Sequence, residues 1–200
     1  MAAGRLTQRP SRPATVAVTN WGPAGPPGVA DQPPAAGPGA VPADGPGLRS
    51  SAPLPTGSRL RLSRLGIDSS IVAVSLHATV LGVPRDPQVL GWWAQGASPG
   101  SGPGSVVITG HVDYAGVRGA LAALPEARPG EPITLVEPAR VVRYQVTAVR
   151  TYPKSVGIPA SAFARSGPER LVLITCGGPF DPSTGNYLDN IVAYADPVGG

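Results

Sequence analysis

Cysteine is almost absent: the 200 residues contain one, Cys176, so no internal disulfide can staple the fold. With two histidines beside that single cysteine, a Cys/His zinc cluster cannot be assembled either. Lysine is as scarce, Lys154 being the only one, and the formal net charge of +4 rests on arginine. That excess is spread along the chain and not gathered into a patch, which argues against a nucleic-acid binder. No apolar run comes near the roughly 18 residues of a membrane-spanning helix.

What the chain has in excess is Gly (27) and Pro (26), and the excess is uneven. Residues 1–55 hold 12 Pro and 8 Gly. Such a segment carries too little large apolar surface to offset its ordering entropy. Residues 1–55 therefore read as a disordered, semi-rigid Pro/Gly-rich spacer. Arg5, Arg9 and Arg12 precede a short apolar piece, Ala14 to Val18, which falls below the about 7–15 residues of a secretory signal's apolar stretch. The remainder, 56–200, is long enough to bury a core without staples.

Within 56–200 the pattern is one of short strands between turn signals. Arg59-Leu60-Arg61-Leu62 alternates polar and apolar, as a half-buried strand does. Ile71 to Val74, Ser105 to Thr109, Ile133 to Glu137, Val141 to Arg150, Leu171 to Thr175 and Asn190 to Ala195 follow, separated by turns rich in Gly and Pro. Only Arg118 to Leu124 and Ser161 to Arg165 look helical, and both are short. So many strands with so little helix predict a mostly β domain: a closed eight-stranded barrel with one or two short helices.

Two strand exits carry chemistry. They are Ile108-Thr109-Gly110-His111-Val112-Asp113 and Leu173-Ile174-Thr175-Cys176-Gly177-Gly178. Each is an apolar strand ending in Thr, then one versatile side chain, then loop. A cysteine nucleophile needs a nearby base to supply thiolate, and histidine is the usual one. A lone cysteine is equally a small buried hydrophobe, and a lone histidine a structural one, so the residues by themselves leave both readings open. Asp113 stands close enough in sequence to orient His111. Gly177-Gly178 either let backbone amides approach a substrate carbonyl or form a tight turn. Trp92-Trp93 either line a peptide groove or place one ring in the core. His77 has no acidic or thiol neighbour and reads as a surface or core histidine.

The Thr109-Gly110-His111-Val112-Asp113 and Leu173 to Gly178 segments resemble the two active-site segments of sortases. Asp181, Gly185-Asn186-Tyr187 and Asp189 to Tyr194 resemble the segment that follows them. The likeness covers about residues 57–197 and is nearest the actinobacterial class F (class E/F). The resemblance implies a cysteine transpeptidase on an eight-stranded β-barrel, with no metal or organic cofactor. It implies Cys176 as the nucleophile that forms a thioester with the Thr of an LPXTG-like sorting signal, and His111 as the acid/base. Thr175 is implied as a substrate-binding neighbour. The implied partners are a surface-protein precursor with a C-terminal sorting signal and an amine acceptor such as a cell-wall precursor or pilin lysine. The implied location is extracytoplasmic and membrane-associated, the Pro-rich leader matching the family's spacer between anchor and barrel.

The chain departs from the pattern at one place. Relatives carry an arginine in a strand that begins roughly Tyr-Arg-Asp-Asn; here the stretch is Tyr187-Leu188-Asp189-Asn190. Leu188 thus stands at the expected arginine position and cannot donate a hydrogen bond. Losing an oxyanion donor costs about 100- to 1000-fold in rate. The expectation is an enzyme, a transpeptidase or hydrolase of reduced activity. The alternative is a catalytically weakened or silent sortase-like peptide-binding module, and a third reading relocates the donor to Arg118 or Arg170.

Overall fold

The computed structural model describes the backbone of residues 15–18 and residues 53–77 and 80–199. Strand β1 (Thr15–Val18) comes from the Pro/Gly-rich arm. Next are β2 (Arg59–Leu62), β3 (Ile67–Val74), β4 (Leu76–His77), β5 (Val80–Leu81), β6 (Leu90–Trp93) and β7 (Ser105–Thr109). A small hairpin, β8 (Asp113–Tyr114) and β9 (Val117–Arg118), follows. Then come β10 (Pro132–Glu137), β11 (Arg140–Pro153), β12 (Ile158–Pro159), β13 (Arg170–Asp181) and β14 (Asn186–Pro197). Eight of these close into a barrel in the order β10-β11-β14-β13-β7-β6-β3-β2, the architecture that the strand spacing predicts. Two neighbouring pairs are parallel, β13 with β7 and β3 with β6.

Side-chain alternation along the strands sorts the apolar residues onto two faces. Leu60, Leu62, Trp92, Ile108, Leu171 and Leu173 belong to the cluster that fills the barrel. Their strand neighbours Trp93, Val107, Val172, Ile174 and Val192 form a second cluster outside it, with Leu81, Ile158 and Ala162 packed on top. Covering both faces explains why Ser105–Thr109 and Leu171–Ile174 are nearly unbroken apolar runs. Each fully buried Leu or Ile contributes roughly 1.5–3 kcal/mol, whereas an exposed pair such as Arg59–Asp68 contributes about 0–1 kcal/mol. The two clusters hold the fold. Trp92 lies inside, its Nε1 donating to the Ala97 carbonyl at 3.1 Å. Trp93 lies in the outer cluster, edge-on to Phe163. Both rings are buried, so the pair packs the two sides of β6 and lines no open groove.

The described residues contain no helix longer than a 3-10 turn. Ala160–Phe163 is one such turn, close to where a short helix is expected. The other expected helix, Arg118 to Leu124, is the end of β9 followed by turns. The reason is Gly119: a Cβ there would sit 2.1 Å from the His111 carbonyl oxygen. Packing against His111 fixes that stretch, not helical hydrogen bonding.

One piece of the arm pairs, which differs from a spacer wholly without packed structure. β1 lies between β12, antiparallel with Val16 opposite Ile158, and β5, parallel with Val18 opposite Leu81. Thr15 to Val18 is free of Pro and Gly and β-branched at three of its four positions, and the short β5 and β12 offer open backbone edges. Residues 1–14 and 19–52, and the side chain of His77, lie outside the described residues. Among the described residues no helix is long and apolar enough to cross a membrane.

Candidate active site

The parallel pair β7 and β13 builds the site. Leu173 stands opposite Ile108 and Ile174 opposite Thr109. The Gly110 amide then donates to the Ile174 carbonyl at 3.0 Å, which carries the pairing past the end of β7. His111 and Cys176 are the next reactive residues on the two strands. Because the strands run the same way, both are delivered at the same end of the barrel wall. Both are almost fully buried, His111 at 3% and Cys176 at 4% exposure.

Alternation aims these side chains. Val172 and Ile174 belong to the outer cluster, so Cys176 continues the outer row. Thr175 belongs to the inner row with Leu171 and Leu173. It is buried, and its Oγ1 has no hydrogen-bond partner among the described residues. The structure therefore places the Thr175 hydroxyl on the inner side of β13, away from the face that Cys176 presents.

The His111 ring is held by a backbone contact. Its Nε2 lies 2.7 Å from the Pro84 carbonyl oxygen. A carbonyl only accepts, so Nε2 carries a hydrogen. The ring also lies against Tyr114, with centroids 5.0 Å apart. The Asp113 carboxylate also reaches across to the other hairpin. Its Oδ2 accepts a hydrogen bond from the Tyr187 hydroxyl. That bond ties the hairpin after His111 to the hairpin after Cys176. It is the first cause that raises the Tyr187 pKa, followed by burial, the charge of Asp113 and the charge of Cys176. Tyr187 thus lies within electrostatic reach of the thiol.

Across the β13/β14 ladder the partner of Cys176 is Asn190, and across β14/β11 the partner of Asn190 is Tyr152. Residues directly opposite share a face of the sheet, so Tyr152, Asn190 and Cys176 form a row on the outer surface. Asn190 is 0% exposed, and neither Oδ1 nor Nδ2 has a hydrogen-bond partner among the described residues. Leu188 is not opposite the thiol. It stands two residues nearer the hairpin, beyond the Gly177–Asp189 pair where the register shifts. Its side chain is 47% exposed. It borders a cleft of about 540 Å3, lined also by Pro153, Lys154, Tyr187 and Asp189, that neither Cys176 nor His111 lines. Arg170 sits at the far end of β13, paired with Asp196 at 3.2 Å. Arg118 is exposed on β9. Gly177 and Gly178 answer to close packing: a Cβ on Gly177 would lie 2.5 Å from Ile191 Cγ1, and one on Gly178 2.1 Å from Asp189 Oδ2.

Cys176 and His111 were legible in the sequence as strand exits. Asn190 and Tyr187 were not singled out as site residues, and the only signal was their place in the strand that returns past the cysteine.

The family model for the sortase domain matches residues 60–198. Among solved structures, the chain is similar to sortase A from Corynebacterium diphtheriae, at 19% identity and a TM-score of 0.56, covering 74% of this chain and 63% of that one. It is also similar to sortase C-1 from Actinomyces oris, at 16% identity and a TM-score of 0.56, covering 73% and 76% of the two chains. Sortase C1 from Streptococcus agalactiae is a third, at 15% identity and a TM-score of 0.57, with 72% and 68% covered. No curated protein matches the sequence.

Proposed function

This chain belongs to the sortase family, and we propose that within it the chain is a class F type cysteine transpeptidase that cleaves an LPXTG-like sorting signal. The Cys176 thiolate attacks the carbonyl carbon of the signal's Thr. His111, charged, gives its Nδ1 proton to the leaving Gly amine as the C–N bond breaks, and a thioester remains on Cys176. An incoming amine then attacks the thioester, Nδ1 takes up its proton, and the thiolate leaves. Throughout, the Pro84 carbonyl keeps the Nε2 hydrogen and steadies the ring's positive charge. The acyl donor is a surface-protein precursor, the acceptor an amine such as a cell-wall precursor or pilin lysine, and the setting extracytoplasmic and membrane-associated.

The observation that carries this reading is the pair of in-register exits, His111 and Cys176, on the parallel strands of a sortase-family barrel. Mass spectrometry of the chain incubated with LPXTG-like peptides tests it. The expected result is an acyl adduct on Cys176 that an added amine releases. Cys176→Ala should form no adduct and His111→Ala nearly none; substantial turnover by Cys176→Ala would sink the assignment. A second reading, a peptide-binding module that does not turn over, is favoured by the apolar Leu188 at the position where the family pattern has arginine. It predicts peptide binding without any adduct.

A further inference from the structure

We propose that Asn190 is a catalytic residue: its side-chain amide donates to the oxyanion that forms on the substrate carbonyl at Cys176. The inference rests on the transpeptidase reading and adds to it the donor that the apolar Leu188 cannot supply.

Three observations converge on Asn190. The first is position. It is the cross-strand partner of Cys176, on the same face of the sheet. Facing Cβ atoms in such a pair lie about 4.5–5.5 Å apart, so a carbonyl carbon bonded to Sγ brings its oxygen within reach of Nδ2. The second is the unmade hydrogen bonds. A primary amide offers two donors and an acceptor, and folded proteins rarely leave such a group buried and unpaired. Asn190 is fully buried, yet both its Nδ2 and Oδ1 lack a partner among the described residues. The polar neighbour across β11 does not relieve it, because the Tyr152 hydroxyl is engaged with the Tyr194 hydroxyl at 3.1 Å. The third is the surroundings. Next along the outer face stand the apolar Ile174 and Val192. Packing alone would be served better by Leu. An amide held ready in apolar surroundings, beside a nucleophile, costs no reorganisation when charge develops.

Neither of the two arginines to which the donor could have been relocated takes the role. Arg170 is tied to Asp196 at the other end of β13, and Arg118 lies exposed on the β8–β9 hairpin. A neutral donor also differs from a guanidinium in kind, because it hydrogen-bonds the oxyanion without adding a fixed positive charge beside His111.

The test uses Asn190→Leu and Asn190→Ala in the full chain, with three readouts: acylation by an LPXTG-like peptide, alkylation of Cys176 by iodoacetamide, and thermal unfolding. Alkylation needs the thiolate but no oxyanion donor. We expect Asn190→Leu to keep or raise the unfolding temperature, since it replaces an unpaired buried amide by an apolar group of similar size. Its alkylation rate should stay within a few-fold of wild type, while its acylation rate constant falls by about 100- to 1000-fold. Asn190→Ala should lose acylation to the same degree. If Asn190→Leu acylates as fast as wild type, the inference fails while the transpeptidase reading stands. If both variants lose stability and alkylation together with acylation, Asn190 is structural and the inference fails too. A wild-type chain that alkylates but never acylates would overturn the transpeptidase reading and this inference with it.

Discussion

A phenol that donates to a carboxylate resists losing its proton, and Tyr187 does so beside Asp113. Its raised pKa means that its contribution to stability is fully present below about pH 10, the ordinary phenol value, and is lost as the pH climbs through the folded value. Asp113→Ala removes both the hydrogen bond, the largest cause, and the carboxylate charge. The Tyr187 pKa should then fall back towards that of a free phenol, as read by tyrosinate absorbance against a Tyr187→Phe control. An unchanged titration would show that the hydrogen bond does not hold the proton. The same residue marks where sequence reading stops. Counting from Tyr187 along the family pattern picks Leu188 as the residue that meets the substrate. The ladder picks Asn190. Leu188 and Asn190 lie two residues apart on one face of the strand, so which of them stands opposite Cys176 depends on the turn after β13 and on the irregularity between Gly177 and Phe180. Neither is written in local composition.

At the scale of elements, the β8–β9 hairpin and the turn after it form the outer support of His111. The Gly119 amide donates to the Val112 carbonyl at 2.9 Å, and the Leu121 amide to the His111 carbonyl at 3.0 Å. A Cβ at position 119 would meet the His111 carbonyl oxygen at 2.1 Å and its carbonyl carbon at 2.4 Å. These are backbone atoms and cannot rotate aside. Gly119→Ala must therefore move His111, and a misplacement of about 1 Å costs on the order of 100-fold in rate. Acylation should fall by at least that factor while the far-ultraviolet circular dichroism of the barrel persists; a fully active variant would show that this packing does not position the histidine. The same glycine defeated the helical reading of Arg118 to Leu124, where alanine and leucine raise helix propensity but tertiary contact decides. Strand β6 was hidden in a similar way. Gly91 sits within it because a Cβ would lie 2.8 Å from Val74 Cγ1 and 2.9 Å from both Pro84 Cδ and Thr109 Oγ1. A glycine inside a strand often marks such an approach.

For the whole molecule, the barrel closes on its own. Its eight strands all come from the chain after Ser58, and β1 joins only β5 and β12 outside the ring. Removing residues 1–52 should leave the unfolding temperature within a few degrees of the full chain. Amide exchange at Val80, Leu81 and Ile158 should quicken, because their neighbour in the small sheet is gone. A collapse of the barrel's melting transition would make the arm part of the core. The barrel was legible at this scale because period-two alternation and turn spacing carry it. The docking of β1 was not, since a four-residue strand in a Pro/Gly-rich arm gains its pairing only from edges supplied far along the chain.

The strands that carry His111 and Cys176 are parallel neighbours, yet hairpin β8–β9 and strands β10 to β12 all lie between them in sequence. Contacts of such long sequence separation form late, because a large loop must close before they return any energy. Cys176 and His111 therefore meet only as the barrel nears completion. A nascent or half-folded chain exposes its one thiol without the imidazole beside it, and with no second cysteine in the chain it cannot lock itself into a wrong internal disulfide. On the transpeptidase reading, cutting power is withheld until folding is finished: the topology itself acts as a safety catch.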